Sequence, residues 1–211
     1  MTPRRFGILL FPGAEELDFV GPWEMLRMWS QYADGPPECL LVAQTTGPVE
    51  CAKGMRVLPH CDFAACAPLD ALLVPGGKGT RQEVNNPVLL DFVRAQAAHG
   101  QVLMSVCSGA FVLHATGLLS GRRATTHWSV LKALRELGDV QVQEERFVRD
   151  GTVWTSAGVS AGTDMMLAYI AAAAGDDSAG KVQLGAEYYP STVRYGSQAG
   201  DPRAPGYVRR A

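Results

Sequence analysis

Short apolar runs alternate along the chain with stretches in which apolar residues recur at helical spacing. Four runs predict strands: Phe6–Phe11, closed by Pro12-Gly13; Cys39–Ala43; Ala71–Val74, ended by Pro75-Gly76-Gly77; and Val102–Val106. Their near-continuous apolar character suits strands covered on both faces. Gly21-Pro22 predicts the opening of a helix with Trp23, Leu26 and Trp29 on one face. Asn86-Pro87 predicts another, with Leu89, Leu90, Val93 and Ala97 inward and Gly100 as a left-handed cap. A third runs from Ser129 to Leu137 and stops at Gly138. Arg146–Val148 and Val153–Thr155 flank Asp150-Gly151, a hairpin signal, and an alanine-rich helix from Ser160 to Ala174 follows the turn at Gly158. This alternation predicts an α/β fold: an open, mostly parallel sheet flanked by helices on both faces. A single domain is expected over residues 1–190. The segment 191–211, rich in Gly, Pro, Ser and Arg, is expected to be loose or wrapped along a partner subunit.

Composition narrows the function. With 211 residues the chain can bury a continuous core without metal or disulfide. The 19 basic and 21 acidic side chains leave a net charge of −2, which provides no basic field for nucleic acid. No apolar stretch approaches the ~20 residues of a membrane span, so no membrane partner is expected. The opening MTPRR-FGILLF reads as a surface cluster leading into a buried strand, its apolar run too brief for a signal peptide. The five cysteines, Cys39, Cys51, Cys61, Cys66 and Cys107, form an odd set that reduced thiols in a cytoplasmic protein explain most simply. No C-x2-C pair suggests zinc; His60-Cys61 with Cys66 is the nearest thing to a metal cluster, and no metal site is assigned.

Cys107 stands apart from the other four. In VLMSVCSGAFVL a buried strand runs directly into Cys107, Ser108 and Gly109 and then a helical pattern. This has the form of a nucleophile elbow, although a buried cysteine at a strand end is the competing reading. A sharp turn at a helix N-terminus is expected to favour the thiolate. Asp18, just after the first strand, is expected on the same sheet edge as an acid and base, or else as a helix cap. Its neighbours Glu15 and Glu16 look solvated. Gly76 and Gly77 in VPGGKGT would offer backbone N–H groups to developing negative charge; a plain tight turn is the alternative. The segment is no phosphate loop, because Gly79 follows Lys78. His127 is a candidate accessory group, with a structural role the stronger expectation. His114 falls inside the helix after the elbow, and His60 and His99 look peripheral.

Taken together, FP-x5-D-x2-GP, LDALLVPGG, SVCSGAFVL, GLLSGRRATTHW and VRDG-x3-TSAGVSAG-x-D resemble the ThiJ/PfpI superfamily, whose fold is class I glutamine amidotransferase-like. The match spans roughly Phe6 to Glu187 and implies a flavodoxin-like three-layer sandwich with a nucleophile elbow. Within the superfamily the chain looks most like the isonitrile (isocyanide) hydratases and the similar domain of AraC-type regulators. Two features carry this. Ser108, rather than His, follows the cysteine, where the hydratases usually have Thr; and the acidic residue after the first strand is Asp18 in LDFVGP. The regulators carry a further helix-turn-helix domain, for which too few residues follow the fold here, so a solitary enzyme is expected.

The resemblance implies a cofactor-independent, cysteine-dependent hydro-lyase acting on a small-molecule substrate. Cys107 would attack the terminal carbon of an isonitrile to give a thioimidate. Asp18 would supply a proton and then activate water, releasing an N-formamide, with Ser108, Gly76 and Gly77 orienting Asp18 and polarising the intermediate. The pocket is expected to be apolar, with Phe19, Trp23 or Trp154 as walls, and a homodimer is implied by resemblance. The alternatives are glyoxalase- or deglycase-like chemistry at the same residues, or a redox or small-molecule sensing module, since an accessible low-pKa thiol is also a target of oxidation.

Overall fold

The computed structural model describes residues 2–98, 101–191, 193, 195–197 and 200–209. Its strands are β1 (Arg5–Leu9), β2 (Glu38–Ala43), β3 (Val49–Glu50), β4 (Arg56–Val57), β5 (Cys61–Asp62), β6 (Ala71–Val74), β7 (Val102–Val106), β8 (Arg123–Ala124), β9 (Gln141–Val142), β10 (Phe147–Asp150) and β11 (Val153–Ser156). The helices are α1 (Glu16–Tyr32), α2 (Thr80–Glu83), α3 (Pro87–Ala97), α4 (Gly109–Ala115), α5 (Leu131–Glu136), α6 (Ala161–Ala174), α7 (Asp176–Gly185) and α8 (Gly206–Arg209). Seven strands form one sheet in the order β10-β11-β7-β6-β1-β2-β5, parallel except for the β10–β11 hairpin. α1 packs with α6 and α7, and α3 packs with α4. The chain first winds outward from β1 to β2 and then crosses back to β6, so the β1–β6 boundary is a topological switch point. Ligands of such sheets bind there, beyond the carboxyl ends of the strands. Asp18, Gly76 and Cys107 follow β1, β6 and β7 at that end.

The predicted strands at Ala71–Val74 and Val102–Val106 appear at those limits, and β6 is buried along its whole length. Asn86 caps α3 by accepting the Leu89 N–H at 3.4 Å, with Pro87 in the first turn. Gly100 and His99 lie outside the described residues. Gly138, at φ 84°, stops α5, although the predicted helix begins as a 3-10 turn over Trp128–Val130. The hairpin is displaced by one residue: Asp150 pairs with Val153, so Gly151 and Thr152 make the turn.

One helix boundary is wrong in the sequence reading. Gly21-Pro22 does not open α1; the helix starts at Glu16 and carries Pro22 inside it. The pair serves packing instead. A Cβ on Gly21 would meet Thr163 Oγ1 at 2.5 Å, and one on Gly162 would meet Val106 Cγ2 at 2.8 Å and Pro22 Cγ at 3.0 Å. Small residues on both helices thus let α1 and α6 close over the end of β7, and this contact outweighs the backbone hydrogen bond that an internal proline removes. Trp29 is fully buried beneath α1, whereas Trp23 is half-buried and stacks on His60 at 5.5 Å. His60 Nδ1 accepts the Leu41 N–H at 2.9 Å and so completes the edge of β2. No helix among the described residues is long and apolar enough to cross a membrane.

Candidate active site

β7 ends at Val106, and the chain reverses into α4 through Cys107, whose φ is +57°. A β-carbon in that left-handed region costs roughly 1–2 kcal/mol, so the surroundings must hold it. The Cys107 N–H donates to the carbonyls of Ser156 and Ala157 at 3.1 and 3.2 Å, and its carbonyl accepts the Thr126 hydroxyl at 2.7 Å. Two glycines make room for the turn. A Cβ on Gly109 would lie 2.3 Å from the Val74 carbonyl oxygen, and one on Gly76 would lie 2.6 Å from the Ser108 nitrogen. The predicted elbow is therefore present, with its small residues set by close backbone approach.

Asp18 sits in the first turns of α1, fully buried. It is not the helix cap: its Oδ2 accepts the Gly76 N–H at 2.8 Å across the switch point. Its Oδ1 is buried without a hydrogen bond of normal geometry. Burial first, and the charge of Glu15 after it, push the Asp18 carboxyl up to about 7, against the Gly76 and Val159 N–H groups and the Cys107 thiol, which hold it down. Cys107 departs from expectation. Burial and then the negative charge of Asp18 drive its thiol up to about 12, against the opposing N–H and hydroxyl of Ser108. Near neutrality the pair thus holds a thiol beside a carboxyl about midway through its titration, rather than a standing thiolate.

The two glycine amides, expected to face developing negative charge, have side-chain acceptors here. The Gly76 N–H is engaged by Asp18, and the Gly77 N–H donates to Ser108 Oγ at 3.0 Å. Thr80 Oγ1 donates to the Gly77 carbonyl at 2.8 Å and lies 3.1 Å from Ser108 Oγ. Gly76 and Gly77 therefore orient Asp18 and Ser108. A cavity of about 430 Å³ opens above Cys107 and Ser108, and its apolar wall is Val84, Phe111, Val130 and Val159. Phe19 and Trp154, expected there, are buried in the core, and Trp23 stacks on His60 outside the cavity.

His127 does line the cavity. Its Nδ1 accepts the Ser129 N–H at 3.2 Å and lies 2.7 Å from Ser129 Oγ, capping the 3-10 turn, and burial lowers its pKa. A neutral ring with Nδ1 occupied on this turn suits a wall better than a proton relay. Glu15 is no solvated neighbour: it lines the cavity and pairs with Lys53. Thr80 and Thr126 were not singled out from the sequence, and Gly158 was expected only as a turn. A Cβ on Gly158 would fall 1.8 Å from His127 Cδ2, so this glycine vacates the space the ring fills. Elsewhere, Cys39 and Cys51 are buried, and Cys61 and Cys66 are half-buried neighbours. His114 pairs with Asp139 at 2.8 Å. Of the C-terminal segment, Gly206 donates its N–H to Glu144 Oε1 at 2.6 Å, so this part folds back on its own chain.

A cysteine on a left-handed strand-to-helix turn, a buried carboxyl facing it and a switch-point cavity define an α/β protein built around a nucleophile elbow. The DJ-1/PfpI family profile matches residues 4–172, and the chain belongs to that family. It is 39% identical over 187 residues to an isonitrile hydratase from Pseudomonas putida, covering 89% of this chain and 79% of that one. It is 33% identical over 190 residues to the HTH-type transcriptional regulator CdhR of Pseudomonas aeruginosa, covering 90% of this chain and 56% of the regulator. A ThiJ/PfpI family protein from Pseudomonas syringae superposes with a TM-score of 0.86 at 33% identity, over 100% of this chain and 84% of the other.

Proposed function

We propose that the protein is an isonitrile hydratase-like enzyme that adds water to an isonitrile, giving an N-substituted formamide through a covalent intermediate on Cys107. The observation that carries this reading is geometric: Cys107 stands on a left-handed elbow at the floor of an apolar-walled cavity, with the buried Asp18 carboxyl beside it, held by the Gly76 N–H at 2.8 Å. In the first half-reaction Asp18 accepts the thiol proton while Sγ bonds to the terminal isonitrile carbon. The same proton then passes to that carbon, giving R–N=CH–S–Cys107. In the second, Asp18 deprotonates water, the oxygen adds to the carbon, the C–S bond breaks, and Cys107 leaves with a proton as R–NH–CHO forms. Atoms balance without any other reactant. General acid–base assistance of this kind contributes typically ~10²–10⁴-fold. Ser108 and the Gly76 and Gly77 amides keep both partners in place, and the apolar wall of Val84, Phe111, Val130 and Val159 suits an uncharged reacting group.

The identity to the Pseudomonas putida hydratase supports this choice. The test is turnover of an aromatic isonitrile, followed as formamide appearance, with Cys107→Ala as control. Turnover that vanishes in the variant supports the reading. No turnover with a chemically reactive Cys107 overturns it and directs the assay to dicarbonyl aldehydes, since a glutathione-independent glyoxalase from Caenorhabditis elegans is 27% identical over 162 residues.

A further inference from the structure

The catalytic cavity is apolar where the reaction is proposed to occur, yet its rim carries two cations that the chemistry above does not use. Lys78 and Arg81 both line it, and both are exposed. Among the described residues neither has an ion pair or a side-chain hydrogen-bond partner. The nearby acids are already committed. Glu15, on the same cavity, is paired with Lys53, and Glu83, on the same short helix as Arg81, accepts from Asn86 Nδ2 at 2.7 Å. Asp18 is buried at the bottom of the site and bound to the Gly76 N–H.

The base from which the cations project is fixed. Gly79 donates its N–H to the Gly13 carbonyl at 3.1 Å, and a Cβ on Gly79 would fall 2.0 Å from the Pro12 carbonyl oxygen. Thr80, between Gly79 and Arg81, reaches Ser108 Oγ at 3.1 Å and so ties α2 to the residue that follows the nucleophile. An uncharged isonitrile would leave these two charges unused. A low-dielectric pocket edged by like charges raises the local concentration of an opposite charge.

We propose that Lys78 and Arg81 form an anion-recognising rim, and that the substrate is an electrophile whose far end carries a carboxylate. On the hydratase reading, on which the naming of the reacting group rests, this means an isonitrile bearing a carboxylate substituent. The reacting carbon would lie at Cys107 against the apolar wall, and the carboxylate would point to the two cations.

Alkylation of Cys107 tests the rim without any isonitrile. Iodoacetate and iodoacetamide differ mainly in charge, so the ratio of their rates cancels the intrinsic reactivity of the thiol. Modification is read at Cys107 by peptide mass, and 2-mercaptoethanol serves as the uncharged reference thiol. The ratio should exceed that of the reference and fall as salt is raised. Arg81→Ala should lower it about threefold, and the Lys78→Ala/Arg81→Ala double variant roughly tenfold. Both side chains are exposed, and such changes seldom disturb folding. A ratio equal to that of 2-mercaptoethanol, or one unchanged in the double variant, overturns the proposal. The second arm compares kcat/KM for 4-isocyanobenzoate and phenyl isocyanide. Failure of both as substrates speaks against the hydratase reading alone, because the alkylation ratio stands independently. Equal use of both, with no change in the double variant, speaks against the rim.

Discussion

Replacing Asp18 by Asn separates what this residue does for the reaction from what it does to the fold. The carboxyl is fully buried and raised from 3.8 to about 7, chiefly by burial. Between those two pH values the folded protein binds a proton that the unfolded chain has released, so stability falls as pH rises through the interval. Above pH 7 the full burden is present, about 4 kcal/mol from the shift of pKa. Asn keeps one acceptor oxygen where the carboxylate offers two to the Gly76 and Val159 N–H groups, so we take half of that figure, about 2 kcal/mol. For a chain of this size that raises Tm by roughly 4–8 °C at pH 8. At pH 4 the wild-type carboxyl is already neutral in the folded state and the burden is gone, so only the amide mismatch remains and the variant should be the less stable protein by up to about 2 kcal/mol. Differential scanning calorimetry of both proteins at the two pH values measures this directly. Activity should move the other way, falling ~10²–10⁴-fold, because the amide accepts no proton. The wild-type kcat/KM should decline below an apparent pKa of about 7 as Asp18 protonates. A Tm difference that is the same at pH 4 and pH 8 would refute the assignment of the burden to Asp18.

Further outcomes follow from the same geometry. Cys107→Ala should abolish turnover with the fold retained, and Cys107→Gly should be the more stable of the two by ~1 kcal/mol in urea unfolding, because φ +57° suits glycine. Ser108→Ala leaves the Gly77 N–H without its acceptor and should cost about 1–3 kcal/mol of stability together with activity, whereas Ser108→Thr keeps the hydroxyl and should keep both. His127→Asn preserves an acceptor for the Ser129 N–H and should lower kcat/KM by less than about tenfold; a loss above ~10² would make the ring a proton carrier rather than a wall.

What was legible along the chain depended on how local each cause was. The strands β6 and β7 are runs of apolar residues bounded by Gly and Pro, and the cap at Asn86 lies within one turn of the N–H it satisfies, so the sequence pattern holds both. Gly21-Pro22 misled because its cause is distant. The pair answers to Thr163 and Gly162, on a helix about 140 residues away, and nothing between positions 16 and 32 records that contact. The short ladders β3–β4 and β8–β9, at two residues a strand, were equally invisible, being too brief to have a period.

At the site, residue identity was legible and electrostatics was not. The elbow, Asp18 and the glycine pair stand at recognisable spacings after three strand ends, and the structure brings them together. The state of the thiol is a contest of magnitudes. A helix N-terminus favours an adjacent anion by about 0.3–1 kcal/mol, or ~2 kcal/mol in partly buried sites. Burial and the Asp18 charge shift Cys107 from 9.0 to about 12, which corresponds to about 4 kcal/mol in the opposite sense. The seven-residue helix α4 therefore loses, and no spacing rule could reveal it, because the outcome turns on how deeply two side chains from β7 and α1 are buried against each other. On the proposed reading, Cys107 and Asp18 should titrate as one unit, and a nucleophile would form as the proton moves between them. In that reading the carboxylate whose charge raises the thiol pKa is also the base that would release its proton.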